Sequence, residues 1–175
     1  MSTSTSSFWR DGNRVPITQK GIVVSEQATF TANGTVTYPI FHVTGTVLVL
    51  SLYGVVTTAI GSNHTAAYWR INDQGATPAI TLATGTTIST AGVGSVLAKF
   101  GLAGAALTLI NNSAGRVNEP TTLETDLFSP FSVMKKTGAV TDIEYCYTTN
   151  NTSLGEIKFY AGFIPVTEDG DLTAV

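Results

Sequence analysis

Residues 141–148, Thr-Asp-Ile-Glu-Tyr-Cys-Tyr-Thr, decide the fold class, because apolar and polar side chains alternate along them without interruption. Alternation with a period of two is typical of a β-strand that has one face on a core. The side chains expected on one face are Ile143, Tyr145 and Tyr147, and those expected on the other are Asp142, Glu144 and Cys146. This stretch therefore predicts a half-buried strand near the C-terminal end.

A second strand follows directly. Residues 150–155 are rich in Asn, Ser and Gly, which is turn chemistry, and residues 156–165 resume a run of aromatic and β-branched side chains. We expect the two strands to pair as a hairpin. Glu144 and Lys158 are then candidates for a cross-strand ion pair.

Further strands are indicated toward the N-terminus. Residues 47–53 are almost continuously apolar, which predicts a strand buried on both faces at the centre of a sandwich or at a subunit contact. Asn33-Gly34 lies between the β-formers of residues 27–30 and 35–38, which predicts a hairpin. Pro39 cannot donate to a ladder, so its strand is expected to be an edge or to carry a bulge.

The middle of the chain is also strand-like. Residues 67–71 and 80–82 alternate, and residues 96–110 are interpreted as strands, with a short helix as the alternative. Residues 84–96 and 116–130 supply long connections that could switch sheets. Many short strands with frequent turns predict an all-β, antiparallel β-sandwich that is jelly-roll-like.

Ionisable side chains are scarce in this body. Charged residues make up 12% of the 175 residues, about half the usual share. Between Glu26 and Arg116 the only ones are Arg70, Asp73 and Lys99. A soluble monomer normally keeps mixed charges on its surface. The scarcity favours a body covered by protein partners, with a surface of Thr, Ser and Asn as the plainer alternative.

The composition also excludes several classes. A net charge of −3 without a basic cluster argues against a nucleic-acid partner. The longest apolar stretch, residues 46–60, is too short and too interrupted for a membrane span, so no membrane partner is expected. Cys146 is the only cysteine, so no intrachain disulfide forms. Residues 1–7 lack the features of a signal peptide, which indicates synthesis in a cytoplasm.

We find no pattern that carries catalysis, a metal or a cofactor. His42 and His64 stand alone, without a second ligand at helical or strand spacing, and His64 is expected in a polar loop. Cys146 is expected to be a small core residue. Asp142 and Glu144 share a strand face near Glu156, but a solvated face explains them better than a carboxylate pair for glycoside hydrolysis. We therefore expect a protein that is not an enzyme, with no catalytic, metal or cofactor-binding residues.

Residues 1–20 differ from the body and are interpreted as an extended N-terminal arm, with residues 21–175 as the sandwich domain. Aromatic and arginine side chains are the usual anchors of protein interfaces. We expect the arm to dock on a neighbouring subunit, with docking on its own body as the alternative. The expected interface residues are Phe8, Trp9, Arg10, Asp11, Asn13, Arg14, Val15 and Pro16.

Tyr68 and Trp69 are consecutive strand residues and therefore point to opposite faces. Burial in the core or at a subunit contact explains both. A sugar-binding face with exposed stacking platforms is the alternative.

Residues 10–17, Arg-Asp-Gly-Asn-Arg-Val-Pro-Ile, resemble the short R-D-x-N-R-V-P leaders of small structural proteins of tailed bacteriophages. The charge-poor, Thr-, Gly- and Ala-rich body is similar in style to phage decoration (cement) proteins. The resemblance implies a virion protein on the capsid surface that bridges subunits of the major capsid protein or contacts other virion proteins. It also implies a homo-oligomer, expected to be a trimer. Alternatives are a tail, collar, baseplate or head-fibre component and, from another class, a carbohydrate-binding module for host surface glycans.

Overall fold

The computed structural model describes residues 22–74, 79–100, 104–110, 130–150 and 155–175. In these ranges the chain forms eleven β-strands and no helix. The strands are β1 Ile22–Thr29, β2 Gly34–Thr44, β3 Thr46–Thr58, β4 Thr65–Asn72, β5 Ile80–Thr86, β6 Val96–Ala98, β7 Thr108–Ile110, β8 Phe131–Met134, β9 Asp142–Thr149, β10 Glu156–Pro165 and β11 Asp171–Ala174. The predicted all-β class is confirmed.

Two antiparallel sheets pack face to face. The first sheet has the order β1-β10-β3-β6-β7, with β8 also paired to β3, and the second has the order β11-β2-β9-β4-β5. The antiparallel β-sandwich is confirmed, whereas its jelly-roll winding stays a prediction. The boundary between the arm and the domain, near residue 20, lies outside the described residues.

The core lies between the sheets and is rich in aromatic side chains. Ile143, Tyr145 and Tyr147 of β9 all point into it, as the alternation predicted, and each is at most 1% exposed. Trp69 of β4 meets Phe159 of β10 edge to face, with ring centroids 6.4 Å apart. Burial of each such side chain stabilises the fold by about 1.5–3 kcal/mol, so these contacts hold the two layers together.

β3 is buried on one face only, which corrects the expectation that residues 47–53 are covered on both. The side chains of β3 that are buried are Val47, Val49, Leu52 and Val56, and those that are half-buried are Leu48, Leu50, Tyr53 and Val55. The half-buried set lies on the outer face of the first sheet. An apolar run therefore fills the core with half of its residues and presents the other half outward.

Both predicted hairpins are wrong. β1 pairs with β10, and β2 pairs with β9 and β11, so the Asn33-Gly34 turn joins strands of different sheets. Likewise β9 lies in the second sheet and β10 in the first. The strands on either side of both predicted turns end and begin close to the predicted places, but the turn residues do not select the pairing partner. Partner choice depends on which apolar faces pack together.

The passage from β2 to β3 takes one residue. Gly45 has a φ of 51°, in the left-handed region, and the chain changes sheets there. A Cβ on Gly45 would collide with the side chains of Thr167 and Asp169 and with the backbone of Gly170. Only glycine fits this corner without rearrangement. Within β2, the register with β9 shifts between Pro39 and Phe41, which confirms the predicted bulge.

The middle region forms strands and not the alternative helix. β6 and β7 occupy the described ends of residues 96–110, and they pair with each other. The predicted loop of residues 84–96 begins three residues late, because β5 continues to Thr86. The predicted connector at residues 116–130 lies, except for Pro130, outside the described residues.

Candidate interaction surfaces

The predicted arm lies outside the described residues. The eight expected interface residues, Phe8, Trp9, Arg10, Asp11, Asn13, Arg14, Val15 and Pro16, all belong to it. The described chain begins at Ile22 in β1, at the edge of the first sheet. The candidate surfaces below are therefore the outer faces of the two sheets.

We call the outer side of the first sheet the neutral face. At its centre Tyr53 of β3 stands opposite Tyr160 of β10, with the rings stacked at a centroid distance of 5.0 Å and an angle of 13°. The Nζ atom of Lys158 lies 5.7 Å from the centroid of the Tyr160 ring. Burial, together with the nearby Tyr160, raises the pKa of Tyr53, so its hydroxyl stays protonated at neutral pH.

Few charges accompany this tyrosine pair. Among outward-pointing residues in the described strands of the sheet, Glu156 and Lys158 are the only ionisable ones apart from tyrosine. The carboxylate of Glu156 already accepts hydrogen bonds from the hydroxyls of Thr29 and Thr58, at 3.0 Å and 2.8 Å. The rest of the face consists of apolar, small and hydroxyl side chains and of Gln27, whose amide donates to the hydroxyl of Thr57 at 2.8 Å. Such a face is suited to contact with protein, because a partner that covers it removes few charged groups from water.

The outer side of the second sheet carries a different arrangement, which we call the carboxylate cluster. It consists of Asp142 and Glu144 of β9 and the polar side chains that surround them: His42, Arg70, Asn72 and Gln74. Although both carboxylates point away from the core, Asp142 is 4% and Glu144 3% exposed. The expected solvated face is therefore wrong at these two residues, because long side chains from β2 and β4 cover them.

Every oxygen of the two carboxylates accepts a hydrogen bond. For Glu144, the donors are Arg70 Nε at 2.6 Å and Asn72 Nδ2 at 2.9 Å. For Asp142, the contacts are His42 Nδ1 at 2.9 Å and Gln74 Nε2 at 3.3 Å. The pairing of Glu144 with Arg70 overturns the expected pair with Lys158, which lies in the other sheet. The cluster ties β2, β9 and β4 together on the outer side.

The cluster lacks the features of a catalytic carboxylate pair. Its acceptor atoms are already engaged, and the third candidate, Glu156, lies in the other sheet. Among the described residues, no group of three or more His, Cys, Asp or Glu side chains could hold a metal ion. What the arrangement does chemically is compensate two buried charges.

His64 lies in the loop before β4, as expected, but its side chain is in the core, which corrects the expectation of polar surroundings. It is fully buried, its ring stacks on Tyr147 with centroids 4.2 Å apart, and its Nε2 lies 3.1 Å from the hydroxyl oxygen of Tyr145. Burial lowers the pKa of His64 to about 4. The ring is therefore neutral at physiological pH, and Phe30 packs against it as well.

Trp69 and Cys146 are also internal. Trp69 is fully buried, so it belongs to the core and not to an exposed platform. Tyr68, on the opposite face, is half-buried. Cys146 is 1% exposed, as expected of a small packed thiol, and burial raises its pKa, which keeps it in the unreactive thiol form.

Arg70 and the tyrosine pair are the features that sequence reasoning missed. A signal for Arg70 was present: a charge in the middle of an alternating strand, in a region almost free of charge, must find a partner. Position parity in residues 156–165 would have placed Tyr160 on an outer face. The same parity would have placed Tyr53 on the core side with Val47 and Val49, because the register of β3 with β10 shifts between Val49 and Ser51. The stacking of the two tyrosines could not have been foreseen without the pairing of β3 with β10.

Comparison with known proteins identifies no relative: no protein-family profile, no curated protein and no solved structure matches the chain. In the part of the chain that the structure describes, no helix is long and apolar enough to cross a membrane.

Proposed function

We propose that this chain is a non-enzymatic virion structural protein, a capsid decoration protein of a tailed bacteriophage that bridges major capsid subunits. The observation that carries the proposal is the neutral face, where a stacked pair, Tyr53 and Tyr160, is surrounded by side chains that lose little on being covered by protein. The resemblance of residues 10–17 to phage structural leaders supports the same class. The function then consists of adhesion between protein surfaces.

The sandwich and the arm have separate tasks in this proposal. The neutral face associates with protein neighbours, and the arm anchors each copy to the capsid through Phe8 and Trp9. Several weak arms on one assembly raise each other's effective concentration, so the whole binds far more tightly than one arm. The same features suit a tail or baseplate component, and the particle to which the protein binds separates the two.

The carbohydrate-binding alternative has no comparable support. Sugar stacking requires an open aromatic face, but Trp69 is fully buried. The rings of Tyr53 and Tyr160 stack on each other, and Lys158 lies above Tyr160. We therefore rank protein binding above glycan binding.

The test is co-sedimentation of the purified protein with phage heads that lack it. We expect the full chain to pellet with the heads. Trp9→Ala, which removes an interface anchor, should weaken binding roughly 30-fold per arm without changing Tm. Thr5→Ala, in the same segment, serves as the matched control and should bind normally. Failure of the full chain to bind, or normal binding by the protein lacking residues 1–20, would contradict the proposal.

A further inference from the structure

β1 forms a long open edge of the first sheet. Its eight residues, Ile22–Thr29, pair with β10 on one side, and no other described strand pairs with them. The register with β10 runs through all eight pairs without a bulge. Ile22 is 45% and Val23 61% exposed. The strand therefore offers to another strand a template without a bulge, with exposed apolar side chains at its first two residues.

The backbone groups on the open side can be identified. The amide of Phe30 donates to the carbonyl of Gly155 at 3.1 Å, and these two residues continue the β1–β10 register. In an antiparallel ladder, directly opposed residues alternate between hydrogen-bonded and non-hydrogen-bonded pairs. Even-numbered residues of β1 thus bond to β10. The N–H and C=O groups of Val23, Ser25, Gln27 and Thr29 point to the open edge.

The other sheet edges are short or covered. β7 has three residues and β11 has four. β5 is longer, but its edge is covered at Thr84. The backbone N–H of Thr84 donates to the carbonyl of Ala105 at 2.8 Å, and the carbonyl of Thr84 accepts from the amide of Leu107 at 3.0 Å. Short length and coverage are the usual protections of a sheet edge, as are proline, bulges and several charges. In the described part of the chain β1 has no proline, no bulge and no covering segment, and its single charge, Glu26, lies on the same face as Phe159 of β10.

We propose that the open edge of β1 pairs antiparallel with β1 of a second copy, about a two-fold axis. Charge favours a second copy, because the edge has no cation and only one carboxylate to present to a charged partner. With the axis at Ser25, Glu26 lies opposite Val24 of the other copy, so the like charges do not face each other. Val23 then pairs with Gln27, Ser25 with itself and Gln27 with Val23, giving about six inter-copy hydrogen bonds.

This contact extends the first sheet, and with it the neutral face, continuously across two copies. The β1 contact rests on the proposed function, in which copies of the chain associate. It deepens that function by naming β1 as the element through which they associate. Because a two-fold contact is self-complementary, it produces a dimer or an even-numbered assembly. A trimer, which the sequence resemblance implies, would require a head-to-tail contact elsewhere.

The experiment measures the mass of the full chain by light scattering after size exclusion, at several concentrations. Ser25→Pro removes an outward N–H group and leaves the bonds to β10 in place. Val23→Lys puts a charge on the exposed edge. Each variant should melt near the wild-type temperature and show a dimer dissociation constant raised at least roughly tenfold. We expect a wild-type dimer and variants that are mostly monomeric at the same concentration.

Ala174→Pro is the matched control. The amide of Val175 bonds to the carbonyl of Ile40 at 3.2 Å, so the alternation places the Ala174 amide on the open side of β11. This variant should remain dimeric, as should Phe8→Ala/Trp9→Ala in the arm. A wild-type monomer would overturn both the pairing and the proposed self-association. An oligomer unaffected by the β1 variants would overturn the pairing alone. Dissociation by the arm variant would show that the arm of a neighbour occupies the edge instead.

Discussion

Acidification should destabilise this protein through His64 before most carboxylates are protonated. The buried ring has a pKa of about 4, against an ordinary value of 6.5 in the unfolded chain. Because the folded pKa is the lower one, the unfolded state takes up a proton first as the pH falls. The contribution of His64 to stability is therefore complete above pH 6.5 and is lost as the pH falls from 6.5 toward 4. Below pH 4 this group causes no further loss.

The size of the loss follows from the two pKa values. At 1.36 kcal/mol per pH unit, the difference corresponds to a maximum of about 3 kcal/mol, and about 2 kcal/mol is lost by pH 5. For a domain that unfolds with a urea slope of about 2 kcal/mol per molar, the midpoint should fall by about 1 M between pH 7.5 and pH 5.

The assay is urea unfolding followed by tyrosine and tryptophan fluorescence between pH 7.5 and pH 5. His42→Gln serves as the background, because the chain has two histidines and His64 is then the only one. Adding His64→Phe should lower stability at pH 7.5, since the Tyr145 hydroxyl loses its partner, and should flatten the pH dependence, so that the difference from the background shrinks toward pH 5. If the free energy of unfolding changed equally with pH in the variants with and without His64, the reasoning would be refuted.

Two further predictions concern the carboxylate cluster and the corner at Gly45. Arg70→Met leaves the buried Glu144 with one donor fewer and should lower the free energy of unfolding by about 2 kcal/mol in urea titrations at pH 7; an unchanged midpoint would show that water compensates Glu144. Gly45→Ala should cost at least about 3 kcal/mol, because strain and collision add. Gly138→Ala, also at positive φ but with free space around it, should cost only about 1 kcal/mol; equal losses would contradict the collision.

The strands themselves were accessible from the sequence. The alternation in residues 141–148 identified both faces of β9 correctly, and Pro39 marked the bulge in β2. These features depend on the period of side chains along one strand, which is a local property. The placement of Tyr160 on an outer face follows from the same period, whereas that of Tyr53 depends on the shift of register within β3.

The interactions between strands were not accessible. Arg70 and Glu144 are 74 positions apart, and the ion pair exists only because β4 lies beside β9. His64 follows Ser62 and Asn63, which are typical of a loop, and only the packing of Phe30 and Tyr147 against it shows that it is internal. The aromatic cluster overrides the local polarity because each ring removes a large apolar area from water.

The sequence by itself determined the all-β class, the positions of most strands and the scarcity of charge. The tertiary structure decided the pairing of those strands. Among the eleven described strands, most consecutive pairs are divided between the sheets; β4–β5 and β6–β7 pair in sequence order, and β7 and β8 share the first sheet without pairing with each other. The physical reason is that a turn constrains only the few residues within it. The partner of a strand is selected by burying apolar faces from distant parts of the chain, which leaves β1 at an open edge and the tyrosine pair on an outer face.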